Sequence, residues 1–192
     1  LSMEKIISLN CLDAWSGSPF DANASLFPSC SAIGYKTSEH GVLIGKTADW
    51  SPATEEFTLA QRYKPISNHG YAFFHYGATG ILWSEGGLNE RGLGMVLNGL
   101  PTSGGTQRCV PSMALTRGVL QWCQDVHDVL DWLKQYDVLS WGFTLTLADA
   151  AGNLAFVEVV PGCQEVKRSF SDYLIHTNHC LLDKTLEKQL DP

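Results

Sequence analysis

Positive charge is scarce in this sequence. Lysine and arginine total 13 against 20 aspartates and glutamates, for a net charge of −7 and a pI of about 5.2. A general nucleic-acid binder needs a basic face for the phosphates, so no nucleic-acid partner is expected. A local basic pocket for an anionic substrate stays compatible with this balance. Long apolar runs are missing as well. No stretch approaches the ~20 apolar residues of a membrane-spanning helix, so no membrane partner is expected. Leu1 to Lys5 lead into a short alternating run at Ile6, Ile7 and Leu9, then into polar residues. The apolar core of a secretion signal is lacking. The opening on Leu1 rather than Met is compatible with a fragment.

Paired cysteines are also lacking. Cys11, Cys30, Cys109, Cys123, Cys163 and Cys180 are scattered, with no CxxC among them. A structural zinc site is not expected, and neither is any other cofactor. Scattered cysteines without a secretion signal read as reduced thiols in a cytoplasmic protein.

What is present is a globular composition. Of 192 residues, 44% are hydrophobic and 17% charged, enough for one domain with a sizeable core. There is no internal repeat and no linker. Residues 10 to 30 are rich in Ser, Pro, Asp, Asn and Gly and read as an exposed segment that could be cut without unravelling a core. Strands are expected over Ser31–Tyr35, Gly41–Lys46 and Tyr71–Tyr76. Ile81–Glu85 and Leu93–Leu97 read as a hairpin about the turn Gly86–Gly92. Thr102 to Gln107 reads as a loop. A helix is expected from Pro111, as its first residue, to about Gln121. A second follows Asp125 as N-cap, with Val126, Val129, Leu130 and Leu133 on one apolar face. Phe143 to Ala148 and Leu154 to Val160 flank the turn 149–153, and Tyr173 to Thr177 is a last strand. Strands, helices, then strands suggest an α+β layered fold.

Four segments could carry chemistry. Cys30 ends the polar segment and begins a strand, a reachable position for a thiolate nucleophile. Most cysteines are buried and inert, so position alone does not select it. Its base could be a histidine, with His176 and His179 as candidates. It could equally be the α-amine of Cys30 itself, if the chain is cut after Ser29; such an amine titrates near 7.7–8.0. Lys46 and Asp49 lie three apart at a strand end and could act on a thiol and an ammonium group, or be a solvated pair. Asn98 precedes Gly99 and could offer an N–H to an oxyanion, or be part of a turn. His176-Thr177-Asn178-His179 is a polar cluster at a strand end. Glu90 and Arg91 read as turn residues.

Together these segments resemble the N-terminal-nucleophile amidases. The similarity is strongest to the penicillin acyltransferases (acyl-coenzyme A:6-aminopenicillanic acid acyltransferases), and more distant to bile-salt and penicillin V hydrolases. It is carried by Cys30-Ser31, Gly45-x-x-x-Asp49-Trp50, Gly87-Leu88-Asn89-Glu90-x-Gly92-Leu93 leading to Asn98, and Thr177-Asn178-His179. Asp49 follows Cys30 by 19 residues, as in bile-salt hydrolases.

The resemblance implies a four-layer αββα sandwich. It implies self-cleavage between Ser29 and Cys30, with Cys30 as nucleophile and its freed amine as base. Asp49 would orient that amine. Asn98 and Asn178 would bind the amine or the oxyanion, and Lys46 and His179 would support the substrate. Lys46 stands where bile-salt hydrolases have Arg, and Ser29 where the acyltransferases commonly have Gly. Residues 1–29 would be a pro-segment or the end of an N-terminal subunit, and 30–192 the catalytic domain. Relatives continue beyond the counterpart of Asn178, so the sandwich is expected to be incomplete in this chain. An incomplete sandwich exposes apolar sheet, so a partner segment or a homo-oligomer is expected. The substrate would be a small amide or thioester. Two rivals remain: a papain-like hydrolase using His176 or His179, and a non-catalytic binding module. Mass spectrometry of the intact protein separates self-processing from the papain-like rival. Self-processing gives a new N-terminus at Cys30, and an uncut, active chain would exclude it.

Overall fold

Alternating side chains make this a protein of two stacked sheets. The structure, a computed structural model, describes residues 2–5, 29–49, 52–66, 69–102, 110–138, 142–169 and 171–190. The strands are β1 Ser29–Thr37, β2 Gly41–Asp49, β3 Thr58–Tyr63, β4 Phe73–Ala78, β5 Gly86–Asn89, β6 Gly94–Leu100, β7 Gly142–Ala148, β8 Leu154–Val160, β9 Cys163–Arg168 and β10 Tyr173–His176. The helices are α1 Ser112–Trp122, α2 Val126–Leu133 and α3 Asp183–Leu186. One sheet has the order β10-β1-β2, and the other runs β3 to β9 in sequence order. Every pairing is antiparallel.

The larger sheet is buried on both faces at its centre. Leu93, Met95, Leu97, Phe143, Leu145, Leu147, Val157 and Val159 turn toward α1 and α2 and meet Leu115, Val119, Leu120, Val129, Leu130 and Leu133. Each such side chain contributes roughly 1.5–3 kcal/mol by leaving water. The opposite face of β6, β7 and β8 packs on the small sheet, through Ala148, Leu154, Phe156, Leu174, Val42 and Ile44. The described residues therefore form three layers: helices, large sheet, small sheet. These are the αββα layers without the second helical one. The outer face of the small sheet carries Ile33, Tyr35, Leu43, Tyr173 and Ile175, all about half exposed.

The expected α2 is present with its cap. Asp125 accepts from Asp128 N at 2.8 Å, and the four apolar positions are buried. Pro111 is the N-cap of α1 rather than its first residue. Three strands depart from expectation. β3 and β9 lie at the edges of the large sheet, where one side of the ladder is open and no strong apolar alternation is needed. β5 occupies the glycines read as a turn. They are needed there for close approach: a Cβ on Gly86 would stand 2.7 Å from the Tyr76 ring. The alternating run over residues 6–9, the segment 10–28 and the loop 103–107 fall outside the described residues.

Gly87, on the opposite face, is crowded by the helices, with Leu120 Cδ1 2.7 Å from where a Cβ would be and the Phe74 carbonyl also in its path. Gly87→Ala is expected to cost about 3 kcal/mol by overpacking. Urea denaturation checks this, and an unchanged midpoint would refute the close approach.

Candidate active site

β1 sets the direction of Cys30. Its residues alternate, and Cys30, Ala32 and Gly34 turn inward toward the large sheet. Across the ladder Cys30 pairs with Ala48 and Ala32 with Lys46. Lys46 is therefore diagonal to Cys30 on the same inner face. Ser29 pairs with Asp49, and both are exposed on the outer face.

Two asparagine side chains hold the Cys30 backbone. The β1–β10 ladder ends at Ala32–His176. Two residues further, Asn178 replaces the ladder bond with its side chain: the Cys30 N–H donates to Asn178 Oδ1. Asn178 Nδ2 in turn donates to the Gly99 carbonyl at 2.9 Å. From β6, Asn98 Nδ2 donates to the carbonyls of Cys30 and His176, both at 3.2 Å. Asn98 lies inside the strand, fully buried, and not in a turn.

The thiol sits in a charged pocket. Lys46 is ion-paired with Glu85, their side chains only 1% and 12% exposed. Burial pushes the Cys30 thiol above its ordinary value. Lys46 opposes this by its charge, Glu85 adds to it, and hydrogen bonding to Asn178 and Lys46 lowers it in part. Tyr76 lies nearby, its ring over Gly86. Its phenol is pushed up to about 12, by burial first and then by the charges of Glu85 and Cys30. Lys46 is thus no solvated partner of Asp49, as its spacing allowed. Its partner comes from a distant segment.

His176 is fully engaged elsewhere. Its Nε2 meets Glu158 Oε1 at 2.7 Å and its Nδ1 the Thr177 carbonyl at 2.9 Å. Glu158 also accepts from Leu181 N at 2.7 Å, Leu182 N at 3.3 Å and the Thr185 hydroxyl. Burial raises this carboxyl, but the bonds from His176, Thr185 and Leu181 outweigh it and leave it below its ordinary value. His179 is exposed and bonds Thr177 Oγ1 at 2.7 Å. The structure thus brings together Cys30, Lys46, Asn98 and Asn178. It places Asp49 across from Ser29, beside the Ser29–Cys30 bond, and leaves His179 at the surface. Among the described residues, no cluster of three or more His, Cys, Asp or Glu could hold a metal ion.

The sequence reading missed Glu85, Tyr76 and Glu158. Two signals were available. Lys46 lies at inward positions shared with Ile44 and Ala48, and a buried cation demands a partner. Glu158 is the one acid in an otherwise apolar seven-residue strand.

The sandwich is that of an N-terminal-nucleophile hydrolase. A variant of the conjugated bile acid hydrolase from Clostridium perfringens superposes with a TM-score of 0.57 at 16% identity, over 81% of this chain and 55% of that one. An N-acylethanolamine-hydrolyzing acid amidase ortholog from Caenorhabditis elegans gives 0.61 at 12% identity, over 79% and 71%. Penicillin V acylase from Agrobacterium tumefaciens gives 0.55 at 18% identity, over 76% and 51%. The chain therefore spans about half the length of the bile acid hydrolase and the penicillin V acylase. No curated protein matches it significantly in sequence. The sequence pattern of the acyl-coenzyme A:6-aminopenicillanic acid acyl-transferase family matches residues 36–191, and the chain belongs to that family.

With its thiol raised by burial, Cys30 in the uncut chain is expected to alkylate slowly at neutral pH. The rate should rise about tenfold per pH unit and keep rising past pH ~9, because only the thiolate reacts. Lys46→Ala should slow it further at each pH, since it removes the cation that favours the thiolate. Iodoacetamide labelling followed by mass spectrometry reads both effects. A plateau below pH ~8 would contradict the assignment.

Proposed function

We propose that the chain carries the reacting centre of a self-processing cysteine amidohydrolase or acyltransferase acting on non-peptide amide bonds. The observation that carries this reading is the enclosure of Cys30. Asn178 takes its backbone N–H, Asn98 its carbonyl, and Lys46 stands beside its thiol. A structural cysteine in a strand needs no side chains on its own backbone, because the ladder satisfies it.

Activation begins with attack of Cys30 Sγ on the Ser29 carbonyl carbon. The Ser29–Cys30 C–N bond breaks, the thiol proton passes to the departing nitrogen, and a thioester links Ser29 to Sγ. Water hydrolyses it, leaving a Ser29 carboxylate, a free thiol and a new α-amine. Asn178 Oδ1 already accepts from that nitrogen, and Asp49 flanks it.

In turnover the α-amine takes the thiol proton and Sγ attacks the substrate amide or thioester carbonyl. Both N–H groups of Asn98 are held by carbonyls, so the second amide N–H of Asn178, beside the one bonded to Gly99, is the donor offered to the oxyanion. The leaving group departs with the proton, and the acyl-enzyme passes its acyl group to water or to an amine. The Lys46–Glu85 pair offers a cation that can favour the thiolate without carrying net charge into the pocket. The half-exposed outer face of the small sheet supports association with a second copy or further polypeptide.

The papain-like alternative loses support from the same geometry. Both ring nitrogens of His176 point at oxygen acceptors, and His179 faces solvent beside Thr177. Cys30→Ala is expected to abolish both cleavage after Ser29 and acyl-group release from amide substrates. Activity surviving in that variant would sink the reading.

A further inference from the structure

A row of three polar side chains crosses the layer between the sheets. Asn98 on β6 is paired with Thr144 on β7, and Thr144 with Glu158 on β8. All three are 0% exposed. All face the small sheet, since Asn98 donates to carbonyls of β1 and β10 and Glu158 binds His176 of β10. Ala148, Leu154 and Phe156 lie to one side of this row, and Leu100, Val160 and Cys180 to the other.

Glu158 is saturated by four donors. The other two are not satisfied. Asn98 Oδ1 and Thr144 Oγ1 are the buried side-chain oxygens with no partner among the described residues. Such groups are rare, because each gives up its hydrogen bonds to water on folding. Turning the Asn98 amide over offers no remedy. Its Nδ2 already serves two carbonyls, and a flip would set Oδ1 against both of them. Oδ1 therefore needs a donor from the Thr144 side. Residues directly opposite in a ladder have Cβ atoms about 4.5–5.5 Å apart, which puts both side chains within reach of one shared partner. A hydroxyl both donates and accepts, so it can hold a water while the water donates to Oδ1.

We propose that Asn98 Oδ1 and Thr144 Oγ1 bind one buried water, and that Thr144 thereby acts as a positioning residue for Cys30. With Oδ1 held, the amide plane of Asn98 is fixed. Its two N–H bonds then keep the end of β1 against β10, and the thiol keeps its direction. The water site stands independently of the function proposed above; only the catalytic consequence of the positioning rests on it.

The test compares wild type with Thr144→Val and Thr144→Ser. High-resolution crystals of wild type and T144S should show a water within hydrogen-bond distance of both oxygens. T144V should lack it, with a folding constant lower by about tenfold because Asn98 Oδ1 is left alone. Cys30 in T144V should alkylate severalfold faster as the end of β1 loosens, and T144S should restore the wild-type rate. T144V at least as stable as wild type would overturn the proposal, since that is the result for a hydroxyl with nothing to bind. So would wild-type density without the water, which decides the matter even if T144V does not fold. Cys30→Ala reports separately on the catalytic reading, so a bound water beside a dispensable Cys30 would sink that reading and leave the site standing.

Discussion

A buried carboxylate governs the geometry around Cys30. Glu158 is enclosed in the middle of a two-sheet sandwich, where an unpaired charge is not tolerated. It must collect donors, and it does so from three places: a side chain on β10, two backbone N–H groups after that strand, and a hydroxyl on α3. Those donors bracket Asn178. Satisfying one carboxylate thus fixes the path of the segment that reaches back to the Cys30 N–H. The same requirement holds His176 in place, and the His176 carbonyl is one of the two that orient Asn98. The geometry around the cysteine follows from the need to neutralise and hydrogen-bond a single buried acid.

The site rests on strands rather than on loops. Cys30 and Lys46 share one face of the β1–β2 ladder, and Asn98 lies within the central strands of the larger sheet. Side chains fixed by strand register move little, which suits chemistry that depends on small differences in distance. Asp49 is the contrast. It is exposed on the outer face across from Ser29, where the register brings it beside the backbone bond rather than beside the thiol. A single two-residue periodicity separates the side chains beside the sulfur from the one beside the backbone nitrogen.

Much of this was legible in the residues. Apolar alternation marked β7, the turn at 149–153 marked β8 as its hairpin partner, and the Asp125 cap with its i, i+3, i+4, i+7 face marked α2. Cys30, Asn98 and Asn178 were selected as candidates and do converge. Edge strands such as β9 were not legible, because half of their ladder faces solvent and their residues need no apolar pattern. β5 was hidden because its glycines look like a turn, whereas they serve close packing against Tyr76 and Leu120. Lys46 was visible but its partner was not. Glu85 lies 39 residues away, and only the stacking of two sheets brings the pair together.

The Lys46–Glu85 pair has a further consequence. Dissolved ions weaken charge interactions that they can surround, over a distance of about 8 Å at physiological ionic strength. These two side chains are almost sealed from solvent. Counterions cannot enter between them, and the pair presents no net charge to attract them. The field at the thiol is thus set by the fold rather than by the surrounding electrolyte, and it stays the same in dilute buffer and at physiological ionic strength.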